Sequence, residues 1–200
     1  MTPPTIRRRR TRTAKLVVTG PFDAGKTTLI GTITDSTVLS TERTVTHAGD
    51  QGSERTTVAM DFGRLGVDPD MALFLFGTPG QERFGFMWNI LAEGMLGFVL
   101  VVDAARPDSI TEAAQLRRRF TESNQVPHVI AINKVAEDDD HAEVLARVRA
   151  ELEVGRDVPV LIADARDRED VRQVLLAFLR HVLEQVRSGA DVDREAGEVG

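Results

Sequence analysis

The chain has 200 residues, 42% of them hydrophobic and 28% charged, which suits one packed domain with loose ends. A net charge of −6 argues against general nucleic-acid binding, which needs Lys and Arg to neutralise phosphate. With no cysteine, disulfides, thiolate metal sites, cysteine nucleophiles, and prenyl or palmitoyl anchors are excluded.

Residues 1–13 are rich in Thr, Pro and Arg and read as a disordered basic arm. No apolar block follows Arg7–Arg10, so the arm is not a signal peptide, and Thr2 excludes N-myristoylation. No apolar run approaches the roughly 20 residues that span a bilayer. A cytoplasmic protein is expected, with peripheral membrane contact through the arm or a partner left open. Residues 14–187 form the expected folded domain. Residues 188–200 are acidic and nearly free of apolar side chains, and read as a frayed tail.

Within the domain, short apolar runs predict strands at 15–19, 58–64, 71–76, 97–102, 128–133 and 158–163. Helical patterns begin at Lys26, Glu82, Ser109, His141 and Asp167. The last pattern carries Val171, Val174, Leu175, Phe178, Leu179 and Val182 at a 3.6-residue period. This βα alternation predicts a six-stranded, mostly parallel sheet with helices on both faces. The link 65–70 contains Gly66 and an Asp-Pro-Asp turn and is too short for a crossover helix, so strands 58–64 and 71–76 are expected to run antiparallel.

Gly20-Pro-Phe-Asp-Ala-Gly-Lys-Thr27 fits G-x-x-x-x-G-K-[ST] at every defined position, between a strand and a helix. In such a P-loop, backbone N–H groups and the helix N-terminus cradle phosphate oxygens. Gly20, Asp23, Ala24, Gly25, Lys26 and Thr27, with the adjoining Thr28, are therefore the predicted nucleotide-binding residues. Lys26 is expected on the β- and γ-phosphates, and the Thr27 hydroxyl on Mg²⁺. Ligands in such sheets lie beyond the carboxyl ends of the strands, so the remaining site residues are sought there.

Thr78-Pro-Gly80-Gln81 after the strand at 71–76 resembles the third motif of GTPases. The resemblance implies that the Gly80 N–H senses the γ-phosphate and that Gln81 orients the attacking water. Thr56-Thr57-Val-Ala-Met-Asp61-Phe-Gly63 resembles the first switch segment, with Thr57 closing over Mg²⁺ and the γ-phosphate. Together with Phe74-Leu-Phe-Gly-Thr-Pro-Gly-Gln81, these residues resemble the conservon-type bacterial small GTPases, relatives of the bacterial gliding-motility polarity GTPase. The likeness covers about residues 15–186. It implies a Ras-like fold, exchange of GDP for GTP, slow intrinsic hydrolysis and a regulatory partner of the roadblock type.

The sequence departs from the wider GTPase pattern at two places. Position 77 is Gly where an Asp usually holds a Mg²⁺-bound water, and Asp61 is the candidate substitute; a plain strand Asp is the alternative. Asn133-Lys134-Val-Ala136 lacks the fourth-position Asp that accepts hydrogen bonds from guanine. Asn133 can still tie loops together and the Lys134 stem can stack on the base. Glu137 or Asp138 reaches the base only if the loop is reshaped. Ala163-Asp-Ala165-Arg166 resembles the last GTPase motif, in which the residue at Ala165 offers its N–H to guanine O6, with Arg166 adjoining.

Arg55 is either an internal arginine finger or a solvated side chain. Phe22 either crowds a finger offered in trans or lies as a lid on the loop. The polar, Gly-containing stretch between Thr28 and Thr57 is expected to be a mobile loop. Phe84, Phe86, Met87 and Trp88 are either helix core or anchors of a partner surface. The four histidines lack metal-ligand spacing, so the nucleotide's Mg²⁺ is the one expected metal, held by Thr27, Thr57 and Asp61. The leading expectation is a GTPase switch; an ATP-using P-loop enzyme and a nucleotide-bound scaffold without turnover are the alternatives.

Overall fold

The computed structural model describes residues 12–35, 41–49, 52–80, 85–123 and 126–197. In chain order these form β1 (Arg12–Thr19), α1 (Lys26–Ile33), β2 (Thr41–Gly49), β3 (Gly52–Met60), β4 (Phe62–Asp68) and β5 (Met71–Gly77). There follow α2 (Gly85–Ala92), β6 (Gly97–Asp103), α3 (Pro107–Ser123), β7 (His128–Asn133), α4 (His141–Glu151), β8 (Val160–Ile162) and α5 (Arg168–Gly197).

Six strands make one sheet in the order β4-β5-β1-β6-β7-β8. Every pairing in it is parallel except β4 with β5. β6 and β7 are buried along their whole length, as their unbroken apolar runs require of strands covered on both faces. Alternate side chains feed two cores. Leu16, Val18, Val99 and Val101 join Leu29 and Ile30 of α1 and the α5 stripe of Val171, Val174, Leu175 and Phe178. Val17, Phe98, Leu100 and Val102 pack instead with Trp88 of α2, Ile110 and Phe120 of α3, and Val144 and Val148 of α4. The architecture is that of a P-loop NTPase: a mostly parallel sheet with one antiparallel strand and helices on both faces.

Three expectations need correction. The strand expected at 58–64 is two strands, because the chain breaks at Asp61. Residues up to Met60 belong to β3, and those from Phe62 to β4, which pairs Phe62 with Phe76. The stretch expected as a mobile loop holds β2 and β3, a two-stranded antiparallel hairpin outside the main sheet. Its runs Thr44-Val-Thr46 and Thr56-Thr-Val58 have strand propensity, which the many polar residues around them concealed. The tail expected to fray from residue 188 continues as α5 to Gly197, and β1 begins at Arg12, inside the segment expected as the arm. Among the described residues, no helix is long and apolar enough to cross a membrane.

Candidate functional site

The P-loop joins β1 to α1. Gly20 has φ +149° and Gly25 φ +105°, conformations that a side chain strains against. A Cβ on Gly20 would lie 2.2 Å from the Val101 carbonyl oxygen, and one on Gly25 would lie 2.3 Å from Asn133 Nδ2. α1 begins on Gly25 with no capping side chain and no acidic residue in its first turn. α4 and α5, by contrast, have first-turn N–H groups taken by Asp140 and Asp167. The first N–H groups of α1 are thus left for an anion.

Lys26 is only 7% exposed and its Nζ donates to the carbonyls of Gly20 at 2.9 Å and Pro21 at 2.5 Å. Burial pulls its pKa down to about 8, against the opposing charges of Asp61, Asp23 and Glu112. Thr27 Oγ1 donates to Asp61 Oδ2 at 2.5 Å. Asp61 sits between β3 and β4, where its carbonyl accepts the Gly77 N–H at 2.8 Å. A Cβ at position 77 would lie 3.0 Å from Asp61 Cβ and 3.1 Å from Oδ2. The bare glycine therefore makes the room that the Asp61 carboxylate fills. Gly80 runs against the P-loop, so close that a Cβ there would lie 2.7 Å from the Phe22 backbone and 2.9 Å from Lys26 Nζ. A cavity of about 490 Å³ is lined by Lys26, Thr27, Thr28, Asp61, Thr78 and Gly80.

A second cavity, of about 710 Å³, lies between the ends of β7 and β8, and shares Asp23, Gly25 and Thr28 with the first. Asn133 joins the two. Its Nδ2 donates to the Ala24 carbonyl at 2.9 Å, and its Oδ1 accepts the Ala165 N–H at 3.0 Å. The Ala165 N–H, expected to face a base, is thus held by Asn133. Thr32 Oγ1 donates to the Ala165 carbonyl at 2.7 Å, fixing the same loop from α1. Lys134 Nζ donates to the Asp23 carbonyl at 2.7 Å and to Asp103 Oδ2 at 2.9 Å. Hydrogen bonding to buried Asp103 is the main reason its pKa is raised. Ala136 has its N–H on Asp139 Oδ2 at 3.1 Å. Arg166 pairs with Asp164 at 2.7 Å, and the Asp164 pKa falls to about 2 because its carboxylate accepts hydrogen bonds from Arg166.

The structure thus brings together Gly20, Asp23, Ala24, Gly25, Lys26, Thr27, Thr28, Asp61 and Gly80 at one end of the site, and Asn133, Lys134, Ala165 and Arg166 at the other. Gln81 and Phe84 lie outside the described residues. Arg55 and Thr57 are placed by backbone alone, in β3 opposite Thr46 and Thr44; their side chains, like that of Phe86, fall outside the described ones. Trp88 is no exposed anchor: it is 5% exposed, with Nε1 donating to the Pro79 carbonyl at 3.2 Å and Arg119 over its ring. Among the described side chains of α2, the exposed large apolar one is Ile90. Phe22 is 59% exposed, too open for a lid on the loop, and its carbonyl accepts Arg106 Nη1 at 3.1 Å. Asp103 and Asp164 were missed as site residues. Asp103 is the last residue of β6 and Asp164 stands just past β8, at the strand ends where the carboxyl-end rule directs the search.

The profile of a family described as "Conserved hypothetical ATP binding protein" matches residues 18–185, from β1 into α5. An uncharacterized protein of Methanocaldococcus jannaschii is 34% identical over 131 residues, covering 65% of this chain and 76% of that protein. Translation initiation factor IF-2 of Salinibacter ruber is 28% identical over 196 residues, 94% of this chain but 18% of that factor. The Ras-related protein SEC4 of Candida albicans is 24% identical over 149 residues, 72% of this chain and 69% of that protein.

Proposed function

Since the chain belongs to the family of conserved hypothetical ATP binding proteins, P-loop NTPases, we propose that within it this protein is a small GTP-binding switch that hydrolyses GTP to GDP. The observation that carries the reading is the meeting of three separate segments at one ammonium group. Lys26 has the P-loop carbonyls as hydrogen-bond acceptors, Gly80 against it, and the Thr27–Asp61 pair beside it. Such an arrangement responds to whether a γ-phosphate is present.

Lys26 holds the β- and γ-phosphates, displacing its own bonds to Gly20 and Pro21. A hydroxyl and a carboxylate at the cavity mouth are hard oxygen donors of the kind Mg²⁺ takes, so Thr27 and Asp61 would hold it. Bound there, the ion would supply positive charge to neutralise the phosphate oxygens. In this reading Thr57, from β3, would help hold the same ion, the Gly80 N–H would donate to a γ-oxygen, and Gln81 would orient water. Arg55 serves as an internal finger in this scheme. Loss of the γ-phosphate removes the contacts of Thr57 and Gly80 together, which is the differential contact that a switch requires. A regulatory protein of the roadblock type would read the released surfaces beside β3 and α2, and the cytoplasm is the compartment that fits.

A second reading, an ATP-using enzyme, is favoured by Ala136, which offers no acceptor to a guanine, and fits the family's description. Titration with labelled GDP, GTP and ATP decides between them. Guanine nucleotides are expected to bind more tightly, and equal or tighter ATP binding overturns the GTPase reading. Single-turnover hydrolysis then tests turnover: Gln81→Leu is expected to leave GTP affinity near normal and slow the reaction at least about tenfold. A wild-type protein that binds GTP without hydrolysing it is a scaffold.

A further inference from the structure

We infer that Asp164, on the β8 side of the base cavity, accepts the hydrogen bonds of the guanine edge in place of the carboxylate missing at position 136. The inference rests on the guanine-nucleotide reading above. Guanine presents two adjacent donors, N1–H and the 2-amino group, next to an acceptor, O6. Adenine presents the opposite polarity at the first two positions, a 6-amino donor and an N1 acceptor, and only C–H at C2. A site that selects guanine therefore needs a fixed acceptor with an N–H donor beside it.

Ala136 supplies no side-chain acceptor, since its side chain is a methyl group. Four carboxylates line the cavity: Asp23, Glu137, Asp164 and Asp170. Asp23 is bonded to Lys134, toward the phosphate end. Asp170 is bonded to the Asp164 N–H at 2.9 Å, from the first turn of α5. Glu137 lies exposed in the turn after β7.

Asp164 alone has both required features. It immediately precedes Ala165, so the acceptor and the N–H donor sit on consecutive residues. Its position is also preset: the backbone is tied by Asp170 and the carboxylate by the Arg166 N–H at 2.8 Å. The carboxylate stays ionised, and its other contact is a bidentate pair with the side chain of Arg166, which is 82% exposed. The Arg166 guanidinium is largely exposed, so water can replace the carboxylate as its partner when a base binds. The Ala165 N–H, now on Asn133 Oδ1, is the donor that O6 would share.

The test is equilibrium binding of GDP, ADP and xanthosine diphosphate to the full chain. Wild type is expected to bind GDP at least about tenfold more tightly than ADP. Asp164→Ala is expected to bring the two within about threefold of each other, by weakening GDP and leaving ADP unchanged. Asp164→Asn replaces an acceptor with a donor amide, which suits the 2-oxo group of xanthine. It is expected to shift the ratio of xanthosine diphosphate to GDP affinity by at least about tenfold toward xanthine. Misfolding would weaken both diphosphates alike and so would not shift their ratio. Adding Ala136→Asp to Asp164→Ala is expected to restore the GDP preference. An unchanged GDP-to-ADP ratio in Asp164→Ala, or an unchanged xanthine ratio in Asp164→Asn, overturns the role of Asp164. A wild type without GDP preference overturns the guanine reading itself.

Discussion

The two ends of the nucleotide site are built by different means. At the phosphate end the binding groups are mostly backbone, supplied by Gly20 to Thr27 in one continuous turn, with one buried ammonium at its centre. At the base end they are side chains from three loops, tied together by Asn133 and Lys134. A backbone cradle tolerates side-chain variation but depends on its glycines. A side-chain cradle can move a function from one loop to another, as the same chemical group can arrive from either wall. The missing carboxylates at positions 77 and 136 illustrate this. At position 77 the absent Asp leaves room that Asp61 fills from the neighbouring segment. At position 136 Asp164 stands across the cavity.

The largest effect is expected from Lys26→Ala. It removes the one buried cation among the described residues of the phosphate end, and nucleotide affinity should fall by at least about 2 kcal/mol. Isothermal titration with GDP checks it, and unchanged affinity in a folded variant would remove the P-loop from the argument.

Asn133→Ala should be felt at both ends, as its amide holds Ala24 on one side and Ala165 on the other. It leaves a buried carbonyl and a buried N–H unsatisfied, so a stability loss of about 2 kcal/mol is expected, along with weaker nucleotide binding. Urea unfolding and GDP titration measure the two separately. A loss of binding without a loss of stability would show that Asn133 touches the nucleotide rather than tying the loops.

Gly77→Asp should crowd Asp61 and set two carboxylates side by side, weakening Mg²⁺-dependent GTP binding by about tenfold. Combining it with Asp61→Ala should recover part of the loss. GTP affinity measured across a Mg²⁺ series distinguishes them. No recovery in the double variant would mean that the carboxylate cannot be moved between the two segments.

The smallest effect is the pH response. The Lys26 pKa in the free protein is about 8, lowered by burial, and bound phosphates favour its charged form. The free-state pKa is therefore the lower of the two. GDP affinity should be flat below about pH 8 and fall above it, by at most about tenfold per pH unit. A flat profile from pH 7 to 9.5 would place the Lys26 pKa well above the value its burial implies.

The phosphate end was legible in the sequence because its groups are consecutive. The spacing from Gly20 to Lys26 is itself the structure. The apolar period from Val171 to Val182 was legible for the same reason, and α5 buries that stripe as the period requires. The hairpin of β2 and β3 was not, because polar strands outside a main sheet lack the apolar run that marks a buried strand. Trp88 was ambiguous, since a sequence window does not show which side of α2 faces the core.

The sequence by itself determined the fold class, the P-loop and the strand-end positions at which a site would form. These follow from local periodicity and from consecutive residues whose backbone geometry is set by short-range sterics. The sequence offered Asp61 as the candidate beside Gly77, and the tertiary structure put its carboxylate there; only the tertiary structure decided what holds the Ala165 N–H and which carboxylates line the base cavity. Asp61 is 34 residues from Thr27, and Asn133 is 109 from Ala24. Contacts at such separations are set by how the sheet orders its strands, and no local pattern encodes that order.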